Sequence, residues 1–113
     1  MRMITAIIRT HKYEEVREAL VTLGVEGITV SQVSGFGRQK GQTEIYRGSE
    51  YEVKELPKLR LEIAVSASLV ESAIAAIEKV AHTGKVGDGK IFVTSLLDVV
   101  RIRTGERKEN AIS

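Results

Sequence analysis

The chain has 113 residues, 42% hydrophobic and 28% charged, the proportions of one globular domain with room for a single core. It has no cysteine, which excludes a disulfide framework and a thiolate metal site, and no apolar run reaches the roughly 18 residues of a membrane-spanning helix. A net charge of +2 permits a nucleic-acid partner without pointing to one. The opening MRMITAIIRTHKYEEV lacks the apolar length and the small-residue cleavage site of a signal peptide, so the cytoplasm is the expected compartment.

In chain order, MITAIIR (Met3 to Arg9) is short and rich in β-branched residues, and reads as a buried strand. In YEEVREALVTLG, Val16, Ala19, Leu20 and Leu23 fall on one helical face, and Gly24 is placed to stop the helix. GITVSQV reads as a second strand. In KLRLEIAV, Leu59, Leu61, Ile63 and Val65 alternate with Lys58, Arg60, Glu62 and Ala64, which predicts a strand with one buried face. Ser68 and Glu71 have capping-box spacing ahead of a helix carrying Val70, Ala73, Ile74, Ile77 and Val80. KIFVTSLL gives a fourth strand and DVVRIRTG a short fifth.

The predicted order is strand, helix, strand, strand, helix, strand, with a terminal strand added. It is the α+β, ferredoxin-like βαββαβ pattern. Such a sheet carries both helices on one face, and in a chain this small the expected cover for the other face is a second copy, hence a homo-oligomer. Residues 35–57, GFGRQKGQTEIYRGSEYEVKELP, form a connection longer than a compact domain needs. It has little apolar surface to offset the roughly 1–2 kcal/mol per residue that backbone ordering costs, so a ligand or partner is expected to order it.

Two glycine patterns nearly match phosphate-binding motifs. Gly84, Gly89 and Lys90 have P-loop spacing, but Ile91 stands where a magnesium-binding hydroxyl belongs, and the loop runs from helix to strand. GFGRQKG misses the dinucleotide fingerprint by one residue and opens no helix. The underlying chemistry survives, since three glycines around Asp88 allow backbone N–H groups close to an anion, and Lys85 and Lys90 add charge. The plain alternative is a tight turn.

A period of two puts Arg101 and Arg103 on one side of the last strand. Arg38, Lys40, Lys58, Lys90, Arg101 and Arg103 together make a cation supply suited to a triphosphate. An RNA-binding sheet would stack bases on strand aromatics, and only Phe92 qualifies; Phe36, Tyr46 and Tyr51 fall in or beside the long connection and Tyr13 begins a helix. His11 and His82 read as ordinary helix-end residues, so no nucleophile and base come together.

GFGRQKG, TEIYRGSEY, HTGKVGDGKIF and RIRTGE resemble the nitrogen-regulatory PII signal-transduction proteins along essentially the whole chain. The resemblance implies a single domain over residues 1–113 forming a compact homotrimer. A T-loop at about 36–57, a B-loop at about 82–90 and a C-terminal loop at about 98–113 would meet at clefts between subunits. It implies a sensor rather than an enzyme, with ATP and ADP competing for each cleft and 2-oxoglutarate joining magnesium and ATP.

By that resemblance Gly87, Asp88, Gly89, Lys90, Arg101 and Arg103 hold the phosphates. Gly35, Gly37 and Arg38 close over them, and Ile7, Thr29, Glu62 and Ala64 line the base and ribose side. Gln39 gives its side-chain oxygen to magnesium. The 2-oxo acid lies against Gln39, Lys40, Gly41 and Gly87, with its distal carboxylate on Lys58; the plain alternative for Lys58 is a solvated strand-end lysine. Tyr51 matches a nucleotidylation site and Ser49 a phosphorylation site. The partners implied are ammonium transporters, enzymes of nitrogen metabolism and modifying enzymes, with the membrane reached only through a transporter and nucleic acid not a partner. A weak ATPase and an RNA-binding module remain the alternatives. Position 64 carries alanine where valine fits the pattern, RTHKYEEV lacks a proline-phenylalanine pair, and the tail GERKENAIS carries the basic Arg107 and Lys108 where many members are acidic.

Overall fold

The computed structural model describes residues 1–36, 43–46, 49–52 and 55–112, with the backbone alone for 43–46 and 49–52. The elements are β1 (Arg2–Arg9), α1 (Tyr13–Thr22), β2 (Thr29–Gly35), β3 (Thr43–Tyr46), β4 (Ser49–Glu52), β5 (Leu56–Val65), α2 (Val70–Ala81) and β6 (Lys90–Ser95). Strands β2, β5, β1 and β6, in that order, form an antiparallel sheet, the ferredoxin-like arrangement expected from the pattern.

Alternation along β1 and β5 decides which face is buried. Ile4, Ala6 and Ile8 pair with Ile63, Leu61 and Leu59, and this row packs under Val16 and Leu20 of α1 and Ala73 and Ile77 of α2. Each fully buried Ile or Leu here contributes roughly 1.5–3 kcal/mol. Helix α1 ends as its glycine predicted: Gly24 has φ +94°, its N–H bonds the Val21 carbonyl at 2.9 Å, and the Val25 N–H reaches back to Leu20 at 3.1 Å. The opposite face carries Met3, Thr5, Ile7 and Arg9 beside Ala64, Glu62, Arg60 and Lys58, with no helix over it among the described residues.

Three expectations are corrected. The Ser68–Glu71 capping box does not form, because a 3-10 turn over Ala67–Leu69 already places Ser68 inside helical backbone; its hydroxyl meets that of Ser66 at 3.1 Å instead. The fifth strand over DVVRIRTG is absent, and β6 stops at Ser95, where its partner β1 runs out at Arg2. The segment instead satisfies its backbone locally: Arg101 N–H donates to the Glu106 carbonyl at 2.9 Å, Lys108 N–H to the Val99 carbonyl at 2.9 Å, and Val100 bridges Arg107. Finally, the long connection contains a two-stranded antiparallel sheet of its own, β3 with β4, pairing Thr43 with Glu52 and Tyr46 with Ser49.

Candidate anion site at the B-loop

Helix α2 ends at Ala81, with His82 as its extended C-cap residue, and the chain reaches β6 at Lys90 through a loop with φ +87° at Gly84, +107° at Gly87 and +100° at Gly89. At Gly89 the requirement is steric as well as conformational. A Cβ there would lie 1.7 Å from the Ile7 carbonyl oxygen, so only glycine lets the loop lie against β1.

The loop is closed by Asp88. Its carboxylate accepts the Thr83 hydroxyl, the Thr83 N–H at 2.8 Å, the Gly84 N–H at 2.9 Å and Arg9 Nε at 3.0 Å. These donors hold the carboxyl well below the usual carboxylate range, the Thr83 hydroxyl first and the Thr83 amide next, against a desolvation effect in the other direction. The Asp88 side chain is therefore committed to the loop's own shape.

Lys58 enters from β5 and donates to the Gly87 carbonyl. Only 5% of it is exposed, which rules out the solvated strand-end lysine weighed from the sequence. Burial pushes its pKa down from the ordinary 10.5, the Arg9 guanidinium pushes the same way, and Asp88 opposes both. Gly35 at the end of β2 packs against the lysine stem, where a Cβ would meet Lys58 Cγ at 3.3 Å. Ile7, Gly35, Phe36, Lys58, Lys85, Val86, Gly87, Asp88, Gly89, Lys90 and Phe92 thus line one groove of about 490 Å³, within the size range of small-molecule sites.

The remaining described site candidates lie toward the other end of the sheet. Thr29 pairs with Glu62, Glu62 with Thr5, and Ala64 with Met3, all beyond the row in which Ile7 pairs with Arg60 and Lys90. Arg101 and Arg103 follow the far end of β6, and a strand of 6 residues separates its ends by about 20 Å. Arg101 lies 3.4 Å from Glu106 and bonds the Asn110 carbonyl at 3.5 Å; Arg103 is exposed on the turn, next to Ile102, which is 99% exposed. Because this segment turns instead of forming a strand, the period-of-two argument for the two arginines fails.

Gly37, Arg38, Gln39, Lys40 and Gly41 lie outside the described residues. Ser49 and Tyr51 lie in β4, where Tyr51 pairs with Glu44. His11 and His82 sit at helix ends as expected, and no three metal-ligating side chains cluster among the described residues. Arg9 and Thr83 were missed by the sequence reading; the only local sign of Arg9 was a cation closing an apolar strand.

The matching family model is that of nitrogen regulatory protein P-II, over residues 1–106. The chain is 58% identical to the nitrogen regulatory protein P-II of Azospirillum brasilense, with 99% of this chain aligned to the whole of that protein. It is 56% identical to the P-II protein of Rhizobium etli and 51% identical to GlnK of Escherichia coli K12, with the same coverage. This chain belongs to the nitrogen regulatory protein P-II family.

Proposed function

We propose that the protein is a homotrimeric, cytoplasmic sensor that binds ATP or ADP in clefts between subunits, takes up 2-oxoglutarate together with magnesium and ATP, and reports through residues 36–57 to ammonium transporters or enzymes of nitrogen metabolism. The observation that carries it is the division of the candidate site. Ile7, Gly35, Lys58 and Gly87–Lys90 gather at the B-loop end, whereas Thr29, Glu62, Ala64, Arg101 and Arg103 lie toward the opposite end. Two copies placed B-loop to C-terminal turn would bring both groups around one nucleotide, and the sheet face opposite the helices, with Phe92 half exposed, supports this reading as a surface they could share.

The residues present fit such a ligand. Left-handed glycines allow the loop a backbone shape that can offer N–H groups to an anion, Lys90 and Arg103 offer exposed charge, and the Asp88 carboxylate is occupied by the Thr83 and Gly84 amides and by Arg9. Magnesium would be held by Gln39 with phosphate and 2-oxo acid oxygens, and Lys58 would pair with the distal carboxylate. Tyr51 is the favoured nucleotidylation site and Ser49 the phosphorylation alternative. Either modification adds negative charge to a surface that partners read.

Subunit mixing tests the divided site. Lys90→Ala and Arg103→Ala should each weaken calorimetric ATP binding by about 1.5–3 kcal/mol, the worth of a hydrogen bond to a charged group. Trimers mixed from the two variants regain some intact clefts, and with them part of the tight binding. No recovery on mixing, or unchanged affinity in both variants, refutes the shared cleft. The same titration with 2-oxoglutarate should show heat only when magnesium and ATP are present.

A further inference from the structure

We propose that Arg9 is a positioning residue for the B-loop, forming with Asp88 and Thr83 a clasp that sets the loop's anion-binding shape before any ligand arrives. The anion is the nucleotide phosphate of the reading above, and the inference rests on that reading for what the loop receives.

Arg9 closes β1, and its guanidinium makes two bonds to different parts of the loop. Nε meets Asp88 at 3.0 Å, and a terminal nitrogen donates to the Val86 carbonyl at 3.1 Å. Asp88 in turn binds the Thr83 and Gly84 amides at the loop's start. One arginine therefore ties the end of a central strand to both halves of a loop that has three left-handed glycines, the residue type with most backbone freedom to lose.

The bonds require arginine rather than any cation. Two nitrogens of one rigid plane reach two acceptors, and a lysine offers a single point. Charge balance adds to the requirement. Arg9 and Lys58 are register partners across β1 and β5, so two cations leave neighbouring strands toward the same loop, and the Asp88 carboxylate is the counter-charge beside them. Lys58 donates to the Gly87 carbonyl, the neighbour of both Arg9 acceptors. The loop is thus held at Val86, Gly87 and Asp88 without ligand, which lowers the ordering that binding would otherwise require.

The test uses the full chain as wild type, Arg9→Lys, Asp88→Asn and the double variant. In the ligand-free protein, amide hydrogen exchange at Thr83 and Gly84 should accelerate about tenfold in Arg9→Lys, the loss expected for one charge-assisted hydrogen bond, with α2 and β1 amides unchanged. ADP titration should show about tenfold weaker binding in each single variant and little further loss in the double, because the two residues act as one unit. Wild-type exchange in Arg9→Lys, acceleration spread evenly through the core, or additive losses in the double variant would each overturn the clasp. A wild-type protein that binds no ADP would refute the nucleotide reading, while exchange at Thr83 and Gly84 would still decide the clasp.

Discussion

The two ends of the four-stranded sheet are built on opposite plans. At the B-loop end, polar groups bond one another across elements: Arg9 and Thr83 both bond Asp88, Lys58 is buried on a carbonyl, and the groove beside them is walled by Ile7, Phe36 and Phe92. At the other end the segment after β6 is held by an exposed pair, Arg107 with Asp98 at 2.7 Å, and by Glu109 on the N-terminal amine at 3.8 Å, and presents Ile102 and Arg103 outward. The first is shaped as a receptacle and the second as an insert. The cleft between subunits proposed above would bring these two ends of different copies together.

Glycine substitution should separate the two ends most sharply. Gly89→Ala meets both a left-handed backbone and the Ile7 carbonyl, and should cost about 3–4 kcal/mol in urea denaturation, with loss of nucleotide binding. Gly105→Ala in the turn at the other end has φ +75° but nothing within 4 Å, so it should cost only the conformational penalty of about 1–2 kcal/mol. Equal effects at the two positions would mean that the B-loop does not lie against β1.

A smaller effect is expected at Lys58. Its folded pKa lies below the unfolded value of 10.5, so between the two values the unfolded chain binds more protons and stability rises with pH. Lys58→Met keeps the stem and removes that rise. At neutral pH the variant should be within about 1 kcal/mol of wild type, since replacing a buried charge by an apolar group of similar shape is often neutral. Denaturation curves from pH 7 to 10.5 check this, and a variant with the same alkaline rise as wild type would assign the rise to another group.

The smallest effect belongs to the exposed pair at the far end. Arg107→Ala should cost less than about 1 kcal/mol and be insensitive to the B-loop variants, as expected for a solvent-screened ion pair. A larger loss, in thermal melts at low and high salt, would show that the C-terminal segment is held as firmly as the B-loop.

The sequence by itself determined what depends on near neighbours. The alternation of Leu59, Leu61, Ile63 and Val65, the helical spacing of Val16 and Leu20, and the stop at Gly24 all appear as read, because strand and helix periods are local properties. Local reading failed where neighbours were absent or unexpected. RIRTG has a strand's composition but bonds back on its own segment instead of joining the sheet, and β3 and β4 are four-residue strands without a clear apolar alternation. Tertiary structure alone decided the site. The strand order β2-β5-β1-β6 brings Arg9 to Asp88 across 79 residues of sequence, buries Lys58 against Gly87 and sets Ile7 against Gly89, while Arg103 lies on the turn that follows the far end of β6. Whether a lysine is solvated or buried, and whether two arginines share a site with a loop, depends on which strands lie side by side, and no spacing within one strand encodes that.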